Sequence, residues 1–335
     1  MAFDTGVLAG IPRVPLAQLP TPISPLPRLS TALGGPALFI KRDDQTGLAT
    51  GGNKTRKLEY LMADALQAGA DCVITAGSTQ SNHARQTAAA ARACGLEPHL
   101  VLYAPGGTAP AKVQGNILID LLLGAVIHWT DERAPYTRTL QRVEDDLRAA
   151  GRRPYVAPYG GSNATGLLGY VNAMFEVAAQ EAGQPFDAHV FATSSGGTQA
   201  GMLLGAVLAG VPGRLIGISV DERRADLAPR AAALANAGAE KLGVSWRIKA
   251  EDPHIIVEEG YLGGGYAVIG EAEREAIRLL AQSEGMLVDP VYTGRALAGL
   301  IDMVRRGRFG HSERVLFWHT GGAAALFAFA DELGL

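Results

Sequence analysis

The sequence predicts an α/β protein of two units, each with parallel strands flanked by helices and with a cleft between them. Three observations lead there. Short apolar runs alternate with helical stretches of ten or more residues, the pattern of parallel strands joined by right-handed crossovers. The 335 residues suffice for two domains of ~150 residues, each with its own core. Apolar residues make up 47% of the chain, charged residues 19%, and 42 residues are glycine, which suits a packed α/β core and excludes a disordered or coiled-coil chain.

Residues 1–36 are rich in proline and read as an irregular arm that includes Leu19-Pro20-Thr21-Pro22. Ala37–Asp44 reads as a strand ending in charge, and the glycine-bearing loop Gln45–Gly52 leads into Gly51-Gly52-Asn53-Lys54-Thr55-Arg56-Lys57. Leu58, Leu61, Met62, Ala65 and Leu66 then recur at helical spacing and give the next helix one buried face. Strand Asp71–Ala76 precedes the loop Gly77–His83 and an alanine-rich helix that stops at Gly95. Strand His99–Tyr103 leads to a helix around Lys112–Leu123, and strand Ala125–Trp129 to a helix around Pro135–Ala150. Pro154–Pro158 is the next strand, and the glycine-rich Tyr159-Gly160-Gly161-Ser162-Asn163 marks a domain junction before a helix near Thr165. The pattern resumes with strand Ala188–Thr193, loop Ser194–Gly197, helix Thr198–Gly210, strand Leu215–Val220 and a helix near Arg224–Gly243. A helix at Gly270–Gly285, a turn at Asp289–Thr293, strand Arg314–Trp318 and a helix from Gly322 complete the chain, with no convincing internal repeat.

A net charge of -3 gives no electrostatic case for nucleic acid or an anionic membrane. No basic stretch followed by an apolar core opens the chain, and no apolar run reaches ~18 residues, so a cytoplasmic protein without a membrane span is expected. Cys72 and Cys94 read as buried free thiols of a reducing compartment.

Lys54 is the first candidate for chemistry. Asn53 reads as an N-cap, which puts Lys54 in the first helical turn, facing the positive end of the helix dipole. That position, with apolar walls, favours the free amine that Schiff-base formation requires. Ser194-Ser195-Gly196-Gly197-Thr198, between strand and helix, offers glycine-freed backbone N–H groups to a phosphate. It lacks the spacing of a dinucleotide fingerprint, although Asp221 follows where a ribose-binding acid would sit, so a nucleotide-binding oxidoreductase stays as a reading of another class. Gly47 and Gly52 have P-loop separation, but Asn53 intervenes before Lys54. Gln80-Ser81-Asn82-His83 opens a helix where amides and a hydroxyl can hold a substrate carboxylate. Ser81 can also shuttle a proton and Asn82 can donate to a phenolate oxygen, while His83 by itself reads as structural. Asp289-Pro290-Val291-Tyr292-Thr293-Gly294 places Tyr292 on a turn as an acid or base. His319-Thr320-Gly321-Gly322 closes a strand with a neutral hydroxyl able to meet a ring nitrogen. No His or Cys pair has metal-ligand spacing, so no metal is expected.

Together these residues stand in an order that resembles the pyridoxal-phosphate enzymes of the tryptophan-synthase-β type. More narrowly, they resemble the group containing D-cysteine desulfhydrase and 1-aminocyclopropane-1-carboxylate deaminase. The resemblance runs from about Pro20 to Ala328 and is most specific at Gly51–Glu59, Ser81–Gln86, Gly160–Asn163, Asp289–Gly294 and His319–Gly322. It implies two open, twisted, mainly parallel sheets flanked by helices. The cofactor, pyridoxal 5'-phosphate, would lie in the cleft between a large domain (1–52 plus 166–335) and a small one (53–165). It implies a Schiff-base linkage at Lys54 with Asn53 beside it. Ser195, Gly196, Gly197 and Thr198 would take the phosphate, Asn82 the phenolic oxygen and Thr320 the pyridine nitrogen. Lys54, Ser81 and Tyr292 would be catalytic, and Gln80, Ser81, Asn82, His83, Tyr261 and Thr293 would meet the substrate. Where the cyclopropane deaminases have a glutamate after the tyrosine, this chain has Thr293, which implies a weaker electron sink and favours β-elimination over ring opening. The resemblance therefore implies a lyase that releases pyruvate and ammonia from a small β-substituted alanine, with D-cysteine desulfhydrase ahead of L-cysteate sulfo-lyase. The stretch Gly263–Ile269, around Tyr266, departs from the glycine-then-proline pattern of the group and leaves the choice of leaving group open. A homodimer is also implied.

Overall fold

Strand and helix follow one another through the computed structural model, which describes residues 5–133, 138–181 and 183–334. In chain order the elements are β1 (Ile23–Pro25), α1 (Pro27–Leu33), β2 (Ala37–Lys41), α2 (Asn53–Gln67), β3 (Cys72–Ser78), α3 (Asn82–Ala93), β4 (Glu97–Tyr103), α4 (Asn116–Leu122), β5 (Val126–Thr130), α5 (Arg138–Ala149) and β6 (Pro154–Val156). Then come α6 (Leu168–Gln180), β7 (Ala188–Thr193), α7 (Gly197–Ala209), β8 (Arg214–Ser219), α8 (Arg224–Lys241), β9 (Ile256–Glu258), α9 (Glu271–Glu284), α10 (Thr293–Arg305), β10 (Arg314–Trp318) and α11 (Ala323–Leu326).

The strands form two sheets, a six-stranded one in the order β1-β2-β10-β7-β8-β9 and a four-stranded one in the order β5-β4-β3-β6. All neighbours are parallel except β1, which runs antiparallel to β2 at the edge of the larger sheet. Side chains along a strand alternate between faces, and the cores obey this. On β10, Val315 and Phe317 pack with α9 and α10, while Leu316 and Trp318 pack with α6, α7 and α8. On β3, Val73 joins the α2 side and Ile74 joins Leu140 and Val143 of α5. Each sheet is thus covered on both faces, which is why its strands read as continuous apolar runs.

The expected elements are present, with four differences. α10 extends the expected turn at Asp289–Thr293 into a 13-residue helix. The short strands β1 and β9 carry too few residues for a periodic signal. The helix expected from Lys112 begins at Asn116, because Gly115 takes a positive φ of 59°. The start of the helix expected at Pro135 lies outside the described residues, and α5 runs from Arg138. Leu66 departs from the buried face expected of α2 and is 44% exposed, and Cys94 is only half-buried.

Among the described residues no helix is long and apolar enough to cross a membrane, and no group of His, Cys, Asp or Glu could hold a metal ion.

Candidate active site

The strand ends of both sheets face a cleft with about 680 Å³ of space not filled by atoms. Asn53, Lys54, Ser81, Asn82, His83, Ser195, Gly196, Thr198, Tyr292 and Thr320, all singled out in the sequence, line it. No carboxylate does among the described residues.

α2 begins differently from the expectation. Gly52, at φ 129°, holds the N-cap position, and Asn53 is the first helical residue. The cap comes from outside the helix: Gln86 of α3 accepts hydrogen bonds from the Thr55 N–H at 2.9 Å and the Thr55 hydroxyl at 3.0 Å. Freed from capping, the Asn53 amide donates to Thr198 Oγ1 at 3.2 Å and ties α2 to the start of α7. Lys54 keeps its place in the first turn. Protein atoms around its amine push the pKa down to about 8 by desolvation, and no carboxylate restores it.

Two glycine-bearing loops cross beside Lys54. The Asn53 N–H donates to Thr320 O at 2.9 Å, and a Cβ on Gly321 would stand 2.6 Å from Gly52 Cα. Only glycine permits this approach, so Thr320 is brought to the cleft by backbone contact.

Opposite lies the loop Ser194–Gly197. Gly196 adopts φ 81° at the N-cap of α7, whose first N–H groups have no acceptor within the helix. Ser195 Oγ lies 2.8 Å from Ser162 Oγ. Beneath them is Lys57, a residue that sequence reasoning passed over. Its Nζ donates to Gly160 O at 3.1 Å and to Ser162 Oγ at 3.3 Å, and a Cβ on Gly197 would come within 2.9 Å of it. Burial, with Lys54 nearby, holds the Lys57 amine well below the usual lysine range.

Ser81 caps α3, its Oγ accepting from the Ala84 N–H at 3.1 Å. His83 Nε2 meets Thr75 Oγ1 at 2.9 Å, and the Thr75 hydroxyl donates to Ala157 O at 3.0 Å. With the Thr75 hydroxyl given to Ala157 O, a proton on Nε2 satisfies this contact, and the Pro158 carbonyl is a further acceptor for the ring. Burial, then the charges of Lys54 and Lys57, keeps this imidazole neutral.

Asp289 organises the far wall. Its carboxylate accepts from the N–H groups of Val291, Tyr292 and Thr293 at 2.9, 2.9 and 2.8 Å, an anion at the N-terminus of α10. Tyr292 is thereby fixed, and its hydroxyl meets that of Tyr266 at 2.8 Å; Tyr266 in turn lies 3.3 Å from Ser78 Oγ. Desolvation, then the neighbouring Tyr266 and Tyr159, raises Tyr292 well above the ordinary tyrosine range. It is a proton donor near neutral pH. Ser78, Tyr159 and Tyr266 also line the cleft and were not named as site residues; Tyr159 sits in the stretch read as a domain junction, and Tyr266 in the stretch read as bearing on the leaving group.

Four expected residues do not line the cleft. Tyr261 donates its hydroxyl to Asp302 at 2.7 Å, and Tyr266 stands at the cleft in its stead. Thr293 is fully buried with its hydroxyl on Asp289 at 2.6 Å, so the neutral hydroxyl facing the cleft is that of Thr320. Gln80 is engaged with Gln114 O at 3.1 Å and the Asn116 N–H at 2.9 Å. Gly197 acts by lacking a side chain beneath the loop. Asp221 accepts from Ser194 Oγ at 2.8 Å, a role in closing its own loop.

The residues fit a phosphorylated aldehyde. Lysine amines with no carboxylate partner among the described residues, the first N–H groups of α7 and a cradle that a Cβ on Gly197 would obstruct together suit an anionic, acceptor-rich group.

Comparison with known proteins agrees. The family described as pyridoxal-phosphate dependent enzyme matches residues 14–321. A D-cysteine desulfhydrase of Klebsiella pneumoniae is 45% identical over 329 residues, covering 97% of this chain and 98% of that protein. A crystal structure of an ACC deaminase homologue matches with a TM-score of 0.89 and 39% identity, over 98% of this chain and 97% of that one. A fungal L-serine ammonia-lyase from Rhizomucor miehei shares the fold at a TM-score of 0.67 and 16% identity, over 95% of this chain and 98% of its own.

Proposed function

The chain belongs to the pyridoxal-phosphate dependent enzyme family, and we propose that it is a carbon–sulfur lyase acting on D-cysteine. The products are pyruvate, ammonia and hydrogen sulfide, with one water consumed. The observation that carries the proposal is Lys54, an amine with a pKa of about 8 beside a carboxylate-free anion cradle, in a chain 45% identical to a D-cysteine desulfhydrase.

When bound, pyridoxal phosphate supplies an electron sink for the pair left at Cα. Lys54 would hold it covalently. Ser195, Gly196, Gly197 and Thr198 would hold its phosphate with the Lys57 amine beneath, Asn82 its phenolic oxygen and Thr320 its ring nitrogen, while Asn53 fixes Thr198. Ser81 and the first N–H groups of α3 would take the substrate carboxylate. Once the substrate's amine has taken its place on the cofactor, the Lys54 amine would be free to accept the Cα proton. Tyr292, kept protonated by its surroundings, donates to the sulfur as the Cβ–S bond breaks. General acid–base help of this kind is worth ~10²–10⁴-fold.

Residues 53–165 are taken as the small domain and 1–52 with 166–335 as the large one. A cytoplasmic homodimer completes the reading, supported by exposed Leu118, Leu121 and Leu122 on α4.

The test assays pyruvate from D-cysteine, L-cysteine, L-cysteate and 3-chloro-D-alanine in parallel, with Lys54→Ala as control. D-cysteine is expected to give the highest kcat/KM, with sulfide released in equal amount, and Lys54→Ala to lose turnover and visible absorbance. Sulfite from L-cysteate as the faster product would replace the substrate. Full turnover by Lys54→Ala would remove Lys54 from the reaction.

A further inference from the structure

Arg85 of α3 is fully buried beside the loop that delivers Lys54, donating from Nη1 to Ala49 O and Gly51 O at 2.7 Å each. A guanidinium presents donors and accepts nothing, so its contacts dictate the sense of every amide it meets. Nε donates to Asn116 Oδ1 at 3.1 Å, and Nη2 donates to Asn82 Oδ1 at 3.3 Å. With its oxygen committed, Asn116 turns Nδ2 the other way. There it donates to Asn82 Oδ1 at 3.0 Å and to Gln80 O at 2.9 Å.

Asn82 Oδ1 thus accepts twice. Nδ2 is left as the polar atom that Asn82 offers the cleft, without a partner among the described residues. An asparagine amide has a broad, roughly two-fold final torsion, and nothing in its own shape selects donor over acceptor. The selection must come from its neighbours.

We infer, on the reading above that Asn82 meets the phenolic oxygen of the cofactor, that Arg85 and Asn116 are positioning residues that lock the Asn82 amide with its donor toward that oxygen. Gln80 belongs to the same frame, its Oε1 accepting the Asn116 N–H and its carbonyl receiving Asn116 Nδ2. Arg85 also holds the Lys54 loop, so Asn116 is the cleaner place to break the lock.

Asn116→Asp keeps an oxygen for Arg85 Nε but replaces the donor facing Asn82 Oδ1 by a second oxygen. The Asn82 amide must then turn over and present its oxygen to the cleft. The measurement is the affinity of the apo protein for added pyridoxal phosphate, read by absorbance, with thermal unfolding of each apo variant as a check on folding. Asn116→Asp is expected to bind about tenfold more weakly or worse, no better than Asn82→Ala. Asn116→Ala, which removes the donor without adding an acceptor, loses less. In an Asn82→Ala background, Asn116→Asp should change affinity by less than about twofold.

A purely structural Asn116 predicts the reverse order, since aspartate is nearly isosteric and gains charge against Arg85. That order, or an equal loss in the Asn82→Ala background, overturns the assignment. Unchanged affinity in Asn82→Ala overturns it too, but by removing the role of Asn82 itself. Should Asn116→Asp fail to fold, the same cycle run with Asn116→Ala decides by its coupling to Asn82→Ala.

Discussion

One turn of α2 carries two kinds of cation. Arg56 is saturated: it pairs with Asp43 through Nε and Nη2 at 2.9 and 2.8 Å, and with Glu176 at 3.0 and 2.9 Å. Tyr170 and Thr21 donate to the same Asp43, and Lys41 pairs with Glu176, so two positive and two negative groups cancel. Lys54 and Lys57 stand within two residues of Arg56 in sequence and have no carboxylate partner among the described residues. Arg56 and Lys57 are both fully buried, and Lys54 is half-buried. What separates the cation that holds the fold together from those proposed to serve the cofactor is whether the protein itself supplies the opposite charge.

The comparison can be broken at its strongest point first. Arg56→Ala leaves Asp43 and Glu176 buried without their main partner and should cost about 3–5 kcal/mol of stability, measured by denaturant unfolding of the apo protein. A loss below 1 kcal/mol would mean that the quartet is not the anchor described here. Lys57→Met should do the opposite. It removes a desolvated charge, so the apo protein should be no less stable, while affinity for pyridoxal phosphate falls by about tenfold or more. Unchanged affinity would separate Lys57 from the phosphate.

The smallest effect is a pH dependence. Stability rises with pH in both regions, but in separate windows, as a stabilisation lost in acid at Asp43 and as a penalty relieved in base at Lys54. Burial alone would raise the Asp43 carboxyl, but Arg56 outweighs it and holds it below the usual value of 3.8. Its stabilisation is therefore present above that value and lost as pH falls through the lower folded-state pKa. Lys54 is depressed from 10.5 to about 8 by burial. The unfolded chain binds more protons across that window, so the penalty for burying Lys54 is full below about pH 8 and is relieved as pH rises toward 10.5. The difference in unfolding free energy between apo wild type and Lys54→Ala should shrink over that interval. A constant difference would place the Lys54 amine in solvent.

These contrasts explain what was legible in the sequence. Alternating apolar runs reported the sheets, because a strand buried on both faces leaves a local signature. Lys54, Ser195–Thr198 and Thr320 were legible because glycine marks the backbone turns that carry them. Lys57 was not: its partners Gly160 and Ser162 lie more than a hundred residues away, and nothing in its own neighbourhood distinguishes it from Arg56. Tyr261 and Tyr266 lie on one glycine-rich stretch, and only the packing against Asp302 on one side and Tyr292 on the other tells which faces the cleft. Gln80 and Thr293 have the right chemistry in the right segments but spend it on Asn116 and Asp289. Motif spacing locates a loop; it does not say which way each side chain turns.

The crossing of Gly52 with Gly321 joins an early part of the chain to a late one. Lys54 leaves the ribosome early, but the strand that brings Thr320 against it is among the last made. β10 must dock beside β2 before the pocket has its final wall, so a truncated or half-made chain displays its amine without the surroundings that tune it. A chain that ends before β10 therefore lacks the wall that Thr320 gives the pocket.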